Sequence, residues 1–368
     1  MKPAHLDWTK LKAFPLAERK SLTEADKILR LPGSAPPPLS EESMRHVQAC
    51  AEAVRNARQK NAGVILMYGA HLLRNGAALI LEQMMAQGWL THLATNGAGT
   101  IHDWEYSWLG RSTESVRENV VTGTFGTWNE TSRNIHLALL AGALGAEGYG
   151  ASLGRLIWED GVTLPEPAEL TAQIQAEPGH PLASARADLL RMMRQWDFPA
   201  GRNAIEHRWK QASILAQAFR HGVPATAHPG IGYDIIANHP MFDGGVVGRA
   251  AAWDFRLFSD SVNTLDNGVV LSVGSAIMAP QVFEKSLSCV NNLRIQAGQP
   301  IVSGHTIYVV DMQSGGGWDW TTGEPPKTNP AYYLRFCKSF ARMGGAMHYV
   351  ECDNIAFMHN LFKELAAS

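Results

Sequence analysis

Six short apolar runs recur along this chain, and each ends on a cluster of glycine, histidine, aspartate or asparagine. Residues 63–68 run into Gly69-Ala70-His71, and 91–94 into Thr95-Asn96-Gly97-Ala98-Gly99-Thr100-Ile101-His102-Asp103. Residues 223–227 run into His228-Pro229-Gly230-Ile231-Gly232-Tyr233-Asp234, and 269–273 into Gly274-Ser275. The last two, 306–310 and 346–350, end on Asp311 and on Glu351-Cys352-Asp353-Asn354. A helical period follows most of them. Continuous buried runs alternating with helices predict an α/β fold, a parallel sheet with helices on both faces. Ligands of such sheets bind beyond the carboxyl ends of the strands, so the polar clusters mark the expected crevice. Turn formation alone explains one or two such junctions, but poorly explains six that carry histidine and acid.

Residues 1–33 read as an irregular arm with a short charged helix over 23–31, joined by the stiff Pro36-Pro37-Pro38 stretch. Ser40 is placed to cap a helix running to Gln59. Between about 156 and 221 the strand signal weakens, and helical patterns over 181–196 and 204–221 suggest a helical insert. The stretch Gly315–Gly323, rich in glycine and tryptophan, is a candidate for closing over a site. With no repeat and nothing forcing a cut, the expected organisation is an arm and linker (1–40) followed by one α/β domain (41–368).

Gly142–Gly150 superficially matches a dinucleotide fingerprint, but it follows a helical run and reads as a helix end. Thr95–Asp103 is the better nucleotide loop. It leaves a strand and enters a helix, where Gly97 and Gly99 allow close backbone approach, and Asn96 and Thr100 add hydrogen bonds. Gly274-Ser275 repeats that logic, with Pro280 near the next helix start. Carboxylates ending other strands, Asp311 and Glu351, suit a ribose diol. His102, Asp103, His228 and Asp234 are read in turn positions, where an imidazole can transfer protons near neutrality. No spacing gathers metal ligands, so no metal is expected.

The 368 residues, 45% hydrophobic and 18% charged, can bury a large core. A net charge of -2 gives no reason to expect nucleic acid or an anionic membrane as partner. No apolar stretch is long enough to span a bilayer, and the N-terminus lacks a signal-peptide core. Four cysteines standing singly suit a reducing cytoplasm.

Taken in order, Thr91-His-Leu-Ala-Thr-Asn-Gly-Ala-Gly-Thr-Ile-His-Asp103, His228-Pro-Gly-Ile-Gly-Tyr-Asp234, Val273-Gly-Ser-Ala-Ile-Met-Ala-Pro-Gln-Val-Phe283 and Tyr349-Val350-Glu351 resemble the deoxyhypusine synthase family. They are most similar to its bacterial deoxyhypusine-synthase-like members, over roughly residues 60–365. The resemblance implies a Rossmann-like sheet binding NAD through the Thr95–Asp103 segment, Gly274-Ser275 and Glu351, while Gly69 and Asp311, which follow two other apolar runs, are cofactor candidates by position. It also implies a homotetramer and an amine substrate held by Asp234. Lys338, eleven residues before Tyr349, falls where the family's imine-forming lysine lies. Departures are plain: Ile101-His102 stands where the family has two acids, Pro280-Gln281 where it has a histidine, and Phe336 where it has a tryptophan.

The implied activity is an NAD-dependent aminoalkyl transfer or C–N bond formation through an imine, with Lys338, His102, His228 and Asp234 as the catalytic set. Two alternatives stay open. One is an NAD-linked dehydrogenase or lyase acting on another small metabolite, with His102 or His228 as base and Lys338 structural. The other is a non-catalytic nucleotide-binding protein on the same fold.

Overall fold

The computed structural model describes residues 5–367; Met1–Ala4, part of the N-terminal segment considered above, lie outside the described residues. All six apolar runs form strands: β1 (Val64–Tyr68), β2 (His92–Asn96), β3 (Ala225–His228), β4 (Val269–Val273), β5 (Thr306–Asp311) and β6 (Ala346–Glu351). They form one parallel sheet in the order β6-β5-β4-β1-β2-β3. The chain therefore builds outward from β1 in one direction, returns to the middle, and builds outward in the other. This is the doubly wound Rossmann order, and its topological switch point lies between β1 and β4.

Side chains of β1 alternate between two cores. Val64, Leu66 and Tyr68 join the larger one, and Ile65 and Met67 the smaller. Helices Glu41–Gln59, Ala78–Ala86, Gly97–Leu109 and Asn354–Ala366 cover the first face, as Val54, Leu81, Trp104 and Phe357 show. Phe283, Phe340 and Phe258, from helices Met278–Gln296, Arg335–Ala341 and Gly244–Val262, cover the second. Each such side chain contributes about 1.5–3 kcal/mol on burial, so a strand buried on both sides is apolar at every position. Ser40 caps the Glu41–Gln59 helix by accepting the Ser43 N–H, with Glu41 and Glu42 in the first turn.

Two expectations need correction. The helical part of the arm is only Ala25–Ile28, because Thr23–Glu24 pairs antiparallel with Arg111–Ser112. The arm is tied down further where Phe14 exchanges backbone hydrogen bonds with Thr127 and Asn129, both 2.8 Å. The insert is not purely helical either. Gly161–Leu164 and Gly201–Ala204 form an antiparallel ladder, so the helix expected from Ala204 starts only at Ile214, capped by Ser213. Among the described residues no helix is long and apolar enough to cross a membrane.

Candidate functional site

The switch point is lined by backbone. Gly69 ends β1 and Gly274 ends β4, and a Cβ on Gly69 would strike the Gly274 carbonyl closer than any real Cβ approaches. Gly274 has φ +59°, and a Cβ there would collide with the Asn354 carboxamide. Ser275 is buried, its hydroxyl accepting the Ala279 N–H at 3.3 Å. Asn354 opens the final helix, is buried, and its Oδ1 has no hydrogen-bond partner. Leaving such an oxygen unsatisfied costs about 1–3 kcal/mol, which a ligand hydroxyl or N–H at this spot would recover. Gly69, Gly274, Ser275 and Asn354 are thus the residues that fit a nucleotide. Asn354 was visible only as part of the polar cluster after the last strand.

The two strand-end carboxylates lie further along. Asp311 Oδ1 accepts the Gln313 N–H at 3.0 Å, and Glu351 Oε2 accepts that of Gly315 at 2.9 Å. Glu351 borders a separate groove of about 690 Å3 beside the edge strand β6, shared with Ser40, His46 and His348. The glycine- and tryptophan-rich loop lines one side of this groove, anchored by Trp320, which inserts into the smaller core.

The segment Thr95–Asp103 is not a loop. Asn96 ends β2 and its Oδ1 caps the helix Gly97–Leu109 by accepting the Gly99 N–H at 2.8 Å. A side chain on Gly97 would fall on the Asp234 carboxylate, and one on Gly99 on the Thr95 hydroxyl, which itself donates to Tyr68 O at 3.1 Å. These glycines, like Gly69 and Gly274, make room for the protein's own groups, and Thr95, Asn96, Gly97 and Gly99 stand where a strand ends and a helix begins. The expectation for Asp103 is corrected. This residue is helical and buried, and its carboxylate accepts the Ile214 N–H at 2.7 Å and the Ser213 hydroxyl, capping the Ile214–His221 helix. Burial pushes its pKa up to about 7.

His228 pairs with Asn96 between β3 and β2, yet neither it nor Lys338 lines the cavity that holds His102 and Asp234. His228 sits at the end of β3 in a buried polar chain, His228–Thr226–His92–Ser261, with links of 3.1, 2.9 and 2.7 Å. Burial holds its pKa down to about 4. Lys338 does not insert between Phe336 and Phe340; its ammonium lies over the Tyr332 ring, 3.6 Å from the ring centre. It lines neither the groove beside β6 nor the cavity that holds His102 and Asp234.

His102 and Asp234 do come together, in a cavity of about 290 Å3 beyond the carboxyl ends of β2 and β3. Ala98, Ile101, His102 and Glu105 form one wall because helical spacing places them on one face. Glu105 is buried and receives both guanidinium nitrogens of Arg19 at 2.7 and 2.8 Å, the Thr131 hydroxyl at 2.9 Å, and the Ser112 hydroxyl. Ser112 Oγ also lies 2.7 Å from His102 Nδ1. Its single proton goes to Glu105, so His102 Nδ1 must donate to Ser112, which leaves Nε2 as a free lone pair. Burial lowers the His102 pKa to about 4, keeping the ring neutral at physiological pH. Opposite, Asp234 accepts the Gly230 N–H at 2.7 Å, and burial raises its pKa to about 6. Among the described residues no cluster of histidine, cysteine and acid could hold a metal ion.

No family model and no curated protein matches the chain. Solved structures that align with it include an apo arginine dihydrolase, ArgZ, of the cyanobacterial ornithine–ammonia cycle, at 13% identity and TM-score 0.40, covering 87% of this chain and 32% of that one. Another is AgrE in a ternary complex with ornithine and NAD+, at 12% identity and TM-score 0.43, covering 89% and 34%. A third is a conserved protein of the LOR/SDH type from Methanococcus maripaludis S2, at 14% and 0.43, covering 90% and 74%. This chain spans about a third of the length of the first two. At such identities and TM-scores none of their properties passes to it. None of the three is a deoxyhypusine synthase. Of that resemblance the Rossmann-like sheet stands, and it stands on the strand order itself.

Proposed function

We propose that the protein is an NAD-dependent oxidoreductase that dehydrogenates a small amine, with His102 as the base. The observation that carries this reading is the imidazole held in one tautomer by Ser112 and Glu105, in a cavity beyond the carboxyl ends of β2 and β3. Gly69, Gly274, Ser275 and Asn354 would hold the cofactor, and residues 41–368 would act as one NAD-binding unit. When bound, NAD supplies the hydride acceptor. Asp234 binds and orients the substrate ammonium. His102 Nε2 takes one proton from it; the neighbouring C–H bond then breaks with its electron pair leaving as hydride, and a C=N bond forms. One proton and one hydride depart, so the charge balances. Transfer through an imine on Lys338 lacks comparable support, because that lysine lines neither the groove nor the cavity.

The test pairs NADH titration with turnover of His102→Gln. Wild-type protein should bind NADH and reduce NAD+ in the presence of a panel of small amines. The variant should keep NADH affinity and lose about a hundredfold or more in kcat. Absence of NADH binding at millimolar cofactor, or full activity of the variant, refutes the reading.

A further inference from the structure

Most charged groups around the His102 cavity have hydrogen-bond partners. Arg19 is bound bidentately by Glu105. Glu114 is saturated by the Gly126 N–H at 3.1 Å, the Trp128 indole N–H at 2.9 Å and the Asn119 amide. Arg74 is the exception among the cations. It closes the short helix Ala70–Arg74 that follows β1, and it lines the cavity. Among the described residues it has neither hydrogen-bond nor ion-pair partner, although its Nε is buried. Its charge is felt at His102 and at Tyr106. A partly desolvated guanidinium without an acceptor is costly, and its planar fork suits a carboxylate or phosphate.

Asp234 rests against Gly97 at the start of the same helical wall. Its Oδ2 takes the Gly230 N–H, while Oδ1 has no partner among the described residues. His102 and Tyr106 lie five and nine residues beyond Gly97, which is about 8–13 Å along a helix. The cavity therefore carries a cation without a partner and a carboxylate with one oxygen without a partner, together with the His102 ring.

We infer that this cavity takes an amine that also bears a carboxylate several bonds away, an amino acid with a terminal ammonium, and that Arg74 is the residue that binds its carboxylate. This specificity rests on the oxidoreductase reading only for what happens to the substrate; binding itself does not require that reading. The other source of the same oxyanion chemistry is the cofactor's phosphate, and the experiment separates the two.

Calorimetric titrations would use pairs that differ only in the carboxylate: L-lysine with 1,5-diaminopentane, and 6-aminohexanoate with 1-aminopentane. They would be run without cofactor, with NADH titrated separately. In wild-type protein the carboxylate-bearing member should bind about 10–100-fold more tightly, the scale of a charge-assisted bidentate contact. Arg74→Met should erase the difference while NADH affinity stays unchanged, and Arg74→Lys, which keeps the charge, should restore part of it. Matching unfolding curves of the two variants guard against misfolding. Equal binding within the wild-type pairs, binding of no member, discrimination surviving in Arg74→Met, or a loss confined to NADH would each overturn the inference. The last result would place the guanidinium on the cofactor phosphates. Loss of turnover with these binding differences intact would count against the oxidoreductase reading alone.

Discussion

Asp103 offers the sharpest physical test, because it is a buried carboxylic acid held for packing rather than chemistry. Its pKa rises from 3.8 to about 7, with burial as the largest cause, opposed by hydrogen bonds from Ser213, Ile214 and Leu215. A raised folded pKa means the native state keeps a proton that the unfolded chain has already released. Stability contributed by this group is therefore full below pH 4 and falls as pH rises towards 7. At about 1.4 kcal/mol per pKa unit, the loss between pH 4.5 and 7.5 comes to about 3 kcal/mol. Asp103→Asn retains an oxygen for the Ile214 N–H and presents an amide to the Ser213 hydroxyl, but cannot titrate. Urea unfolding of both proteins across that range isolates the effect, since all other groups cancel. The variant should gain about 3 kcal/mol relative to wild type on going from pH 4.5 to 7.5. Parallel pH profiles would show that Asp103 is already ionised in the folded protein and refute the reasoning.

Three further outcomes follow from the geometry. Gly69→Ala, which drives a methyl into the Gly274 carbonyl, should cost about 1–3 kcal/mol in urea unfolding and abolish NADH binding; intact binding would move the cofactor elsewhere. Ser112→Ala frees His102 to adopt either tautomer, so kcat should fall about tenfold while KM holds, and a change in KM alone would assign Ser112 to substrate binding. Lys338→Arg should leave turnover undiminished, whereas inactivation together with a borohydride-trapped adduct on Lys338 would restore the imine route.

The sheet was legible because its central strands are buried on both faces and so are written as largely apolar runs. The ladder of Gly161–Leu164 with Gly201–Ala204 was not, since Gly201-Arg202-Asn203-Ala204 is short, polar and largely exposed. Gly97 and Gly99 were harder to read for a related reason. Glycine in a sequence signals close approach without saying what approaches, and here it is the Asp234 carboxylate and the Thr95 hydroxyl. His102 and Asp234 could be picked out as candidates because each lies in a polar junction. Arg74 could not, because a lone arginine ending a five-residue helix looks like a solvated charge until its neighbours' pairings are known.

Arg19 joins the first thirty residues to the His102 cavity. Its guanidinium comes from a stretch that adds no strand to the central sheet, yet it neutralises the acid that fixes the imidazole's tautomer through Ser112. A polypeptide beginning at Ser40 would retain every strand of that sheet and every residue of the switch point. It would also leave Glu105 as an unmatched buried anion competing for the histidine's proton. Such a shortened form would test whether cofactor capture and proton handling are separable, the first residing in the sheet and the second borrowed from the arm.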